Sequence, residues 1–192
     1  LYSAVPRANH LLRSLPPEEV TDYASAHDDA LRTTLGNLLG LRAAFASDQG
    51  AARVASLPLR LGGAGLRSAQ RTARGAYWAS WADCLPMIHE RHPEWAERIV
   101  QQLNLGSSGD AASLRAAVQA SDALHDDGFR GPSWQELRDG ARPETPGEEE
   151  PEPGEWRHGW QYHACSATET SFKERVVVPP RSRAARAHLR SC

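Results

Sequence analysis

Val20, Tyr23, Ala24, His27, Leu31, Leu35 and Leu38 recur at steps of three and four, so they share one face of a helix. The spacing predicts that helix from about Pro17, where a missing N–H costs nothing, to Leu39, with Gly40 as the stop. Glu18, Glu19 and Asp22 fall in its first turn, where the helix dipole favours negative charge. Val5, Ala8, Leu11, Leu12 and Leu15 predict a shorter amphipathic helix ending at Pro16, and the two together make a helical hairpin. Residues 41–56 read as a weaker helix.

Leu57 to Leu66 cannot continue a helix, because Gly62, Gly63 and Gly65 are set between leucines. The expectation is a turn anchored to the core at both ends. Ser68 is a good N-cap, and Ala69, Thr72, Ala73, Ala76, Tyr77, Ser80 and Trp81 trace the apolar stripe of the next helix, with Trp78 beside it. Pro86 is expected to restart a helix and His92-Pro93 to interrupt it, after which Trp95, Ile99 and Leu103 continue the apolar face. Asp110 is expected to cap a helix bearing Leu114, Ala117, Val118, Ala120 and Leu124, and Ser133 a short one bearing Trp134 and Leu137. Only Val176 to Val178 hint at a strand, so the fold class is mainly α.

From Glu144 to Glu155 the chain carries six glutamates and no base, amid Pro143, Pro146, Gly147, Pro151, Pro153 and Gly154. Such a composition cannot bury enough surface to order itself. The division expected is therefore a helical region over 1–138, an acidic linker over 139–155 and a basic helical tail over 156–192. In that tail Trp156, Trp160, His163 and Ala167 mark a small helical satellite, followed by Pro179-Pro180 and an Ala/Arg helix. No repeat recurs at a fixed period.

Net charge, -2 over 192 residues, conceals this alternation. Between Gln49 and Ala82 there is no Asp or Glu, while Arg53, Arg60, Arg67, Arg71 and Arg74 add five positive charges; Lys173 is the only lysine. No apolar run approaches the roughly 20 residues of a membrane-spanning helix, and no secretory signal opens the chain. Cys84, Cys165 and Cys192 are an odd, widely spaced set that gives no disulfide framework, which points to a reducing compartment. The expected setting is intracellular, nuclear or cytoplasmic, not secreted and not in a membrane. Opening on Leu1 and closing on Arg190, Ser191 and Cys192 is expected of a piece of a longer product.

Each catalytic or metal signature in the chain competes with a structural explanation. The glycine run lacks the Gly-Lys-Ser/Thr of a P-loop and the Gly-x-Gly-x-x-Gly of a dinucleotide site, so it reads as a structural turn without a nucleotide cofactor. His158, His163, Cys165, His188 and Cys192 supply zinc donors, but their spacing matches no zinc knuckle. His89 and His92 lack the i, i+4 pairing of a helical metal site. His27, Asp28 and Asp29 read as surface charge near the wet side of their helix. No catalytic or metal-ligating residue is assigned.

Arg67, Arg71 and Arg74 stand at i, i+4 and i+7, which would line them along one side of a helix. A row of that kind fits successive backbone phosphates, each gripped bidentately with release of a counterion. A solvated face paired with acids such as Asp83 or Glu90 explains the same spacing.

Two stretches are more specific, Arg7–Pro17 (RANHLLRSLPP) and Leu57–Ser68 (LPLRLGGAGLRS). They resemble the region that follows the polymerase domain in reverse transcriptases of non-LTR, LINE-like retrotransposons, over roughly residues 1–105. There an Arg-x-x-x-Leu-Leu-Arg helix with a Pro-Pro stop precedes a Leu-Pro-x-Arg-x-Gly-Gly-x-Gly-Leu-Arg-Ser signature and an Ala/Trp-rich helix.

The resemblance implies a helical, thumb-like bundle belonging to an RNA-directed DNA polymerase whose palm lies upstream. In that family the palm polymerises with two divalent ions, Mg2+ being expected, held by aspartates that include an aromatic-x-Asp-Asp motif. His27-Asp28-Asp29 and His125-Asp126-Asp127 lack the aromatic residue and the strand, so this stretch is not expected to polymerise. The implied partners are RNA, the RNA–DNA duplex and the palm of the same polypeptide. The implied nucleic-acid contacts are Arg7 and Arg13 in a thumb helix, Arg60, Arg67 and Arg71 in and after the glycine turn, and Arg74 from the helical row. Ala64 stands where the family pattern has a larger apolar residue, and the acidic linker and lone lysine are not part of that pattern. A helical protein-interaction module, or an inactive relic of an element, is the alternative, with Trp78, Trp81 and Trp95 serving a partner surface or the core.

Overall fold

The computed structural model describes residues 5–40, 49–106, 111–143 and 159–177. Those residues are mainly helical and contain no strand. A 3-10 turn at Val5–Ala8 leads into α1 (Asn9–Ser14), then α2 (Thr21–Leu38) and α3 (Gln49–Ala55). After the glycine turn come α4 (Ala69–Arg91), α5 (Pro93–Asn104), α6 (Ala112–Asp126), α7 (Trp134–Arg138) and α8 (Trp160–Phe172), which widens into a π turn at Lys173–Val177.

The organising element is α4. Its 23 residues span about 35 Å at 1.5 Å per residue, and α1, α2, α5, α6, α7 and α8 all pack on it. Ala69, Ala73, Ala76, Ala79 and Ala82 are buried along it, and their small side chains let neighbouring helices come close. A close approach occurs at Gly75, where a Cβ would lie 2.9 Å from the Cys165 sulfur of α8.

Two packing units flank this helix. Ala8 of the 3-10 turn and Leu12 of α1 with Val20 and Ala24 close over Ala69, Ala73 and Ala76. On the other side Trp78 meets Phe129 edge-on at 4.9 Å and Trp160 edge-on at 5.8 Å, within a core that takes in Leu85, Val100, Leu103, Leu114, Leu124 and Leu137. Ser133 and Glu136 form a reciprocal capping box at the start of α7.

Several expectations are corrected. The C-terminal helix is no satellite: Trp160 and Ala164 belong to the main core, and Cys165 and Glu169 are fully buried. Its buried face runs through residues 160, 164, 165, 168 and 169, rotated from the Trp160, His163, Ala167 stripe read from the sequence. Pro86 lies inside α4 instead of restarting a helix. The interior proline costs an i→i−4 hydrogen bond, and the burial of Ala82 and Leu85 around it holds the two halves in one rod. Helix α2 begins at Thr21, four residues after Pro17, and leaves Tyr23 and Leu38 exposed. Trp95 is 65% exposed, since α5 turns Ala96, Val100 and Leu103 inward. Val176 and Val177 lie in the π turn, not a strand. Asp110, Trp156, Val178, the glutamates of the acidic stretch and the Ala/Arg segment lie outside the described residues.

Candidate nucleic-acid interface

The glycine turn is held by its own backbone. Gly63 and Gly65 donate to the carbonyls of Pro58 and Leu57 at 3.1 and 2.9 Å, Gly62 to Leu59 at 2.9 Å and Ala64 to Ala55 at 3.2 Å. These N–H groups are spent internally and cannot cradle a phosphate, as the structural reading of the run requires. Gly62 and Gly65 sit at φ +85° and +76°, and a Cβ on Gly63 would lie 2.1 Å from the Leu57 oxygen. Leu57 and Leu66 are the buried anchors, while Leu59 stays exposed.

Ser68 caps α4 as its sequence position predicts, accepting from the Arg71 N–H at 3.1 Å. A second acceptor arrives from α2. Asp28 receives the Ser68 hydroxyl at 2.5 Å, the Ala69 N–H at 2.6 Å and the Gln70 N–H at 3.3 Å. The reading of Asp28 as surface charge is thereby corrected: its carboxylate neutralises orphan donors and the positive end of the α4 dipole.

The arginines separate into two kinds. Arg71 is a structural cross-link, which corrects its assignment to nucleic acid. Its Nε donates to Glu169 Oε2 at 2.7 Å, its guanidinium also donates to the Ser56 carbonyl at 2.7 Å and the Ser56 hydroxyl at 3.3 Å, and its Cζ lies 4.1 Å from the Phe172 ring centroid. It thus joins the end of α3, α4 and α8, with a side chain only 12% exposed. Burial pushes the Glu169 carboxyl above the usual range, opposed by Arg71 and, at longer reach, by Arg67 and Arg60.

Arg13 is likewise engaged, donating to Asp83 at 2.8 Å and to Gln161 at 3.0 Å. Asp83, considered from sequence as a partner of the Arg67–Arg74 row, is thus taken by α1. Arg67 precedes α4, so the expected row of three is not one helical face. Its Nε is buried without a hydrogen-bond partner among the described residues. Arg60 is exposed and lies 5.7 Å from the ring centroid of Tyr162; Arg7 and Arg74 are exposed. Among the described residues, Arg7, Arg60, Arg67 and Arg74 have no carboxylate within the 4.0 Å of an ion pair.

Sequence reasoning missed Asn9, Ser56, Gln161 and Glu169. The amides of Asn9 and Gln161 bond reciprocally between α1 and α8. The one available signal for Glu169 is that it is the lone acid of its helix. A cleft of about 710 Å³ also opens between α2, α3 and the start of α4, with Asp28, Arg32, Arg53, Arg71 and Phe172 on its walls.

Of the zinc donors, Cys165 gives its thiol to the Thr72 carbonyl at 3.7 Å, and burial pushes its pKa up to about 11, which disfavours the thiolate a metal needs. His158, His188 and Cys192 lie outside the described residues. Among the described residues no three His, Cys, Asp or Glu side chains gather as a metal site, and no helix is long and apolar enough to cross a membrane. Compared with protein-family models, curated proteins and solved structures, the chain matches none.

Proposed function

We propose that this chain is the non-catalytic, nucleic-acid-gripping helical region of a non-LTR retrotransposon reverse transcriptase, thumb and post-polymerase segment together, acting on RNA or a primer–template duplex. The observation that carries the reading is the surplus of arginine around the glycine-turn signature. Residues 49–82 contain no acid of their own, and Glu169, the fully buried carboxylate that packs against them, is taken up by Arg71. Among the described residues Arg60, Arg67 and Arg74, with Arg7 on the N-terminal turn, have no ion-pair partner, as phosphate recognition requires. Polymerisation itself belongs in this reading to the upstream palm, whose aspartates would hold Mg2+.

The test is the salt dependence of primer–template affinity. Binding should weaken steeply as ionic strength rises, and Arg60→Ala, Arg67→Ala and Arg74→Ala should each flatten the log–log slope by about one unit per lost phosphate contact. Undetectable or salt-insensitive binding by the folded chain refutes the reading. A protein-interaction module is the second reading, favoured by the exposed indole of Trp95, which stacks obliquely on His92 at 5.7 Å. It requires partner binding that Trp95→Ala abolishes and salt leaves unchanged.

A further inference from the structure

Between α1, the first turn of α4 and α8 lies a crevice of about 130 Å³, lined by Asn9, Leu12, Arg67, Thr72 and Gln161 among others. Its volume is several times the roughly 30 Å³ of a liquid water and well below the ~300–1,000 Å³ of pockets that enclose whole small molecules. A single tetrahedral oxyanion fits that range; a nucleotide does not. The polar groups at its edge are donors in surplus. The Asn9 and Gln161 amides satisfy each other, and Gln161 Oε1 also accepts from Arg13. Arg67 brings a charge and a buried Nε–H that no group among the described residues accepts. The buried carboxylate nearest in influence, Glu169, is beyond ion-pair distance and is held by Arg71. A cationic N–H taken out of water without an acceptor is expensive unless a ligand supplies one.

We propose that this crevice is an oxyanion seat for one phosphate of a nucleic-acid strand, with Arg67 as its principal ligand and the Arg13–Gln161–Asn9 network fixing its wall. The assignment rests on the nucleic-acid reading above and narrows it to one contact. An Arg Nε–H and the adjacent Nη–H present two parallel donors that match two phosphate oxygens. Only a phosphate projecting from a flexible strand, or a free ion, can enter so small an opening.

The chain, 15N-labelled at arginine, is titrated with inorganic phosphate at ionic strength held constant with chloride. The Nε–H signal of Arg67 is identified by its loss in Arg67→Lys. Expected is a saturable shift of that signal, with the other arginine signals moving little, and at least a tenfold weakening in Gln161→Glu, which places a competing carboxylate in the crevice while keeping an acceptor for Arg13. No shift, or one shared evenly by all arginines, overturns the seat.

A primer–template duplex is then added, with binding followed independently by fluorescence anisotropy. The same Arg67 shift on duplex binding supports a phosphodiester in the seat. Duplex binding without an Arg67 response overturns the seat and leaves the nucleic-acid reading standing. Saturation by phosphate with no duplex binding overturns that reading and leaves a free-phosphate site.

Discussion

Removing Arg71 should unfold this protein more readily than it weakens any ligand. The Arg71→Ala change leaves Glu169, with no exposed side-chain surface, without its ion partner, and strips the Ser56 carbonyl of a donor. Breaking one side of a buried pair costs about 3–5 kcal/mol, against about 0–1 kcal/mol for an exposed one. Arg71 keeps a sliver of exposure, so the low end, about 3 kcal/mol, is the expected loss. At roughly 2–4 °C per kcal/mol for a chain of this size, Tm should fall by about 6–12 °C.

The assay is thermal and urea unfolding of wild type, Arg71→Ala, Glu169→Gln and the Arg71→Met/Glu169→Leu double variant. The double variant should recover much of the loss, because an apolar pair of similar volume leaves no charge buried. An Arg71→Ala loss under about 1 kcal/mol, the range of exposed ion pairs, would refute the cross-link and return Arg71 to the solvent-facing row inferred from sequence. Proton linkage gives the same test a second axis. Burial raises the folded-state pKa of Glu169 above its ordinary 4.5. Its contribution is then fully present below that value and is lost as pH rises through the raised one. Because Glu169→Gln does not titrate there, the stability of wild type relative to Glu169→Gln should decline as pH climbs from about 4.5; a rising difference would contradict burial as the dominant cause.

Other changes probe the frame around the arginines. Gly63→Ala drives a Cβ into the Leu57 carbonyl, and strain of about 1–3 kcal/mol should appear in urea unfolding; unchanged stability would mean that the turn is not held as described. Asp28→Ala removes an acceptor shared by Ser68, Ala69 and Gln70, an expected loss of about 0.5–2 kcal/mol, and no loss in thermal unfolding would return Asp28 to the wet face. For thiol chemistry, peptide mapping after brief iodoacetamide treatment should find exposed Cys84 alkylated and Cys165, its thiol pushed up to about 11, protected until the protein unfolds. Equal labelling of the two would place Cys165 outside the α4–α8 contact.

Local features were legible in the chain wherever one residue type answers a local need. Ser68 and Ser133 cap the helices that follow them, Gly62 and Gly65 take up positive φ, and His92-Pro93 ends one helix and begins the next. The mainly helical class follows from the three-to-four spacing of apolar residues, a property of each segment alone. Which face of a helix is covered is a different matter, because it depends on what arrives from elsewhere. The Pro/Glu-rich stretch before α8 suggested a separate tail, yet Trp160, Ala164 and Cys165 fill the space that Gly75 and Trp78 leave on α4.

Charge obeys the same division. An arginine reads alike in sequence whether it waits for a phosphate or holds a buried acid, since its carboxylate partner can lie anywhere in the chain. Arg71 meets Glu169 across 98 positions, and Arg13 meets Asp83 across 70. By itself the sequence determined the helical class, the Ser68 and Ser133 caps, the glycine turn and the excess of arginine over acid around it. Only the tertiary structure decided which of those arginines are neutralised in the interior and which are left facing solvent, because ion pairing depends on distance in space and not along the chain.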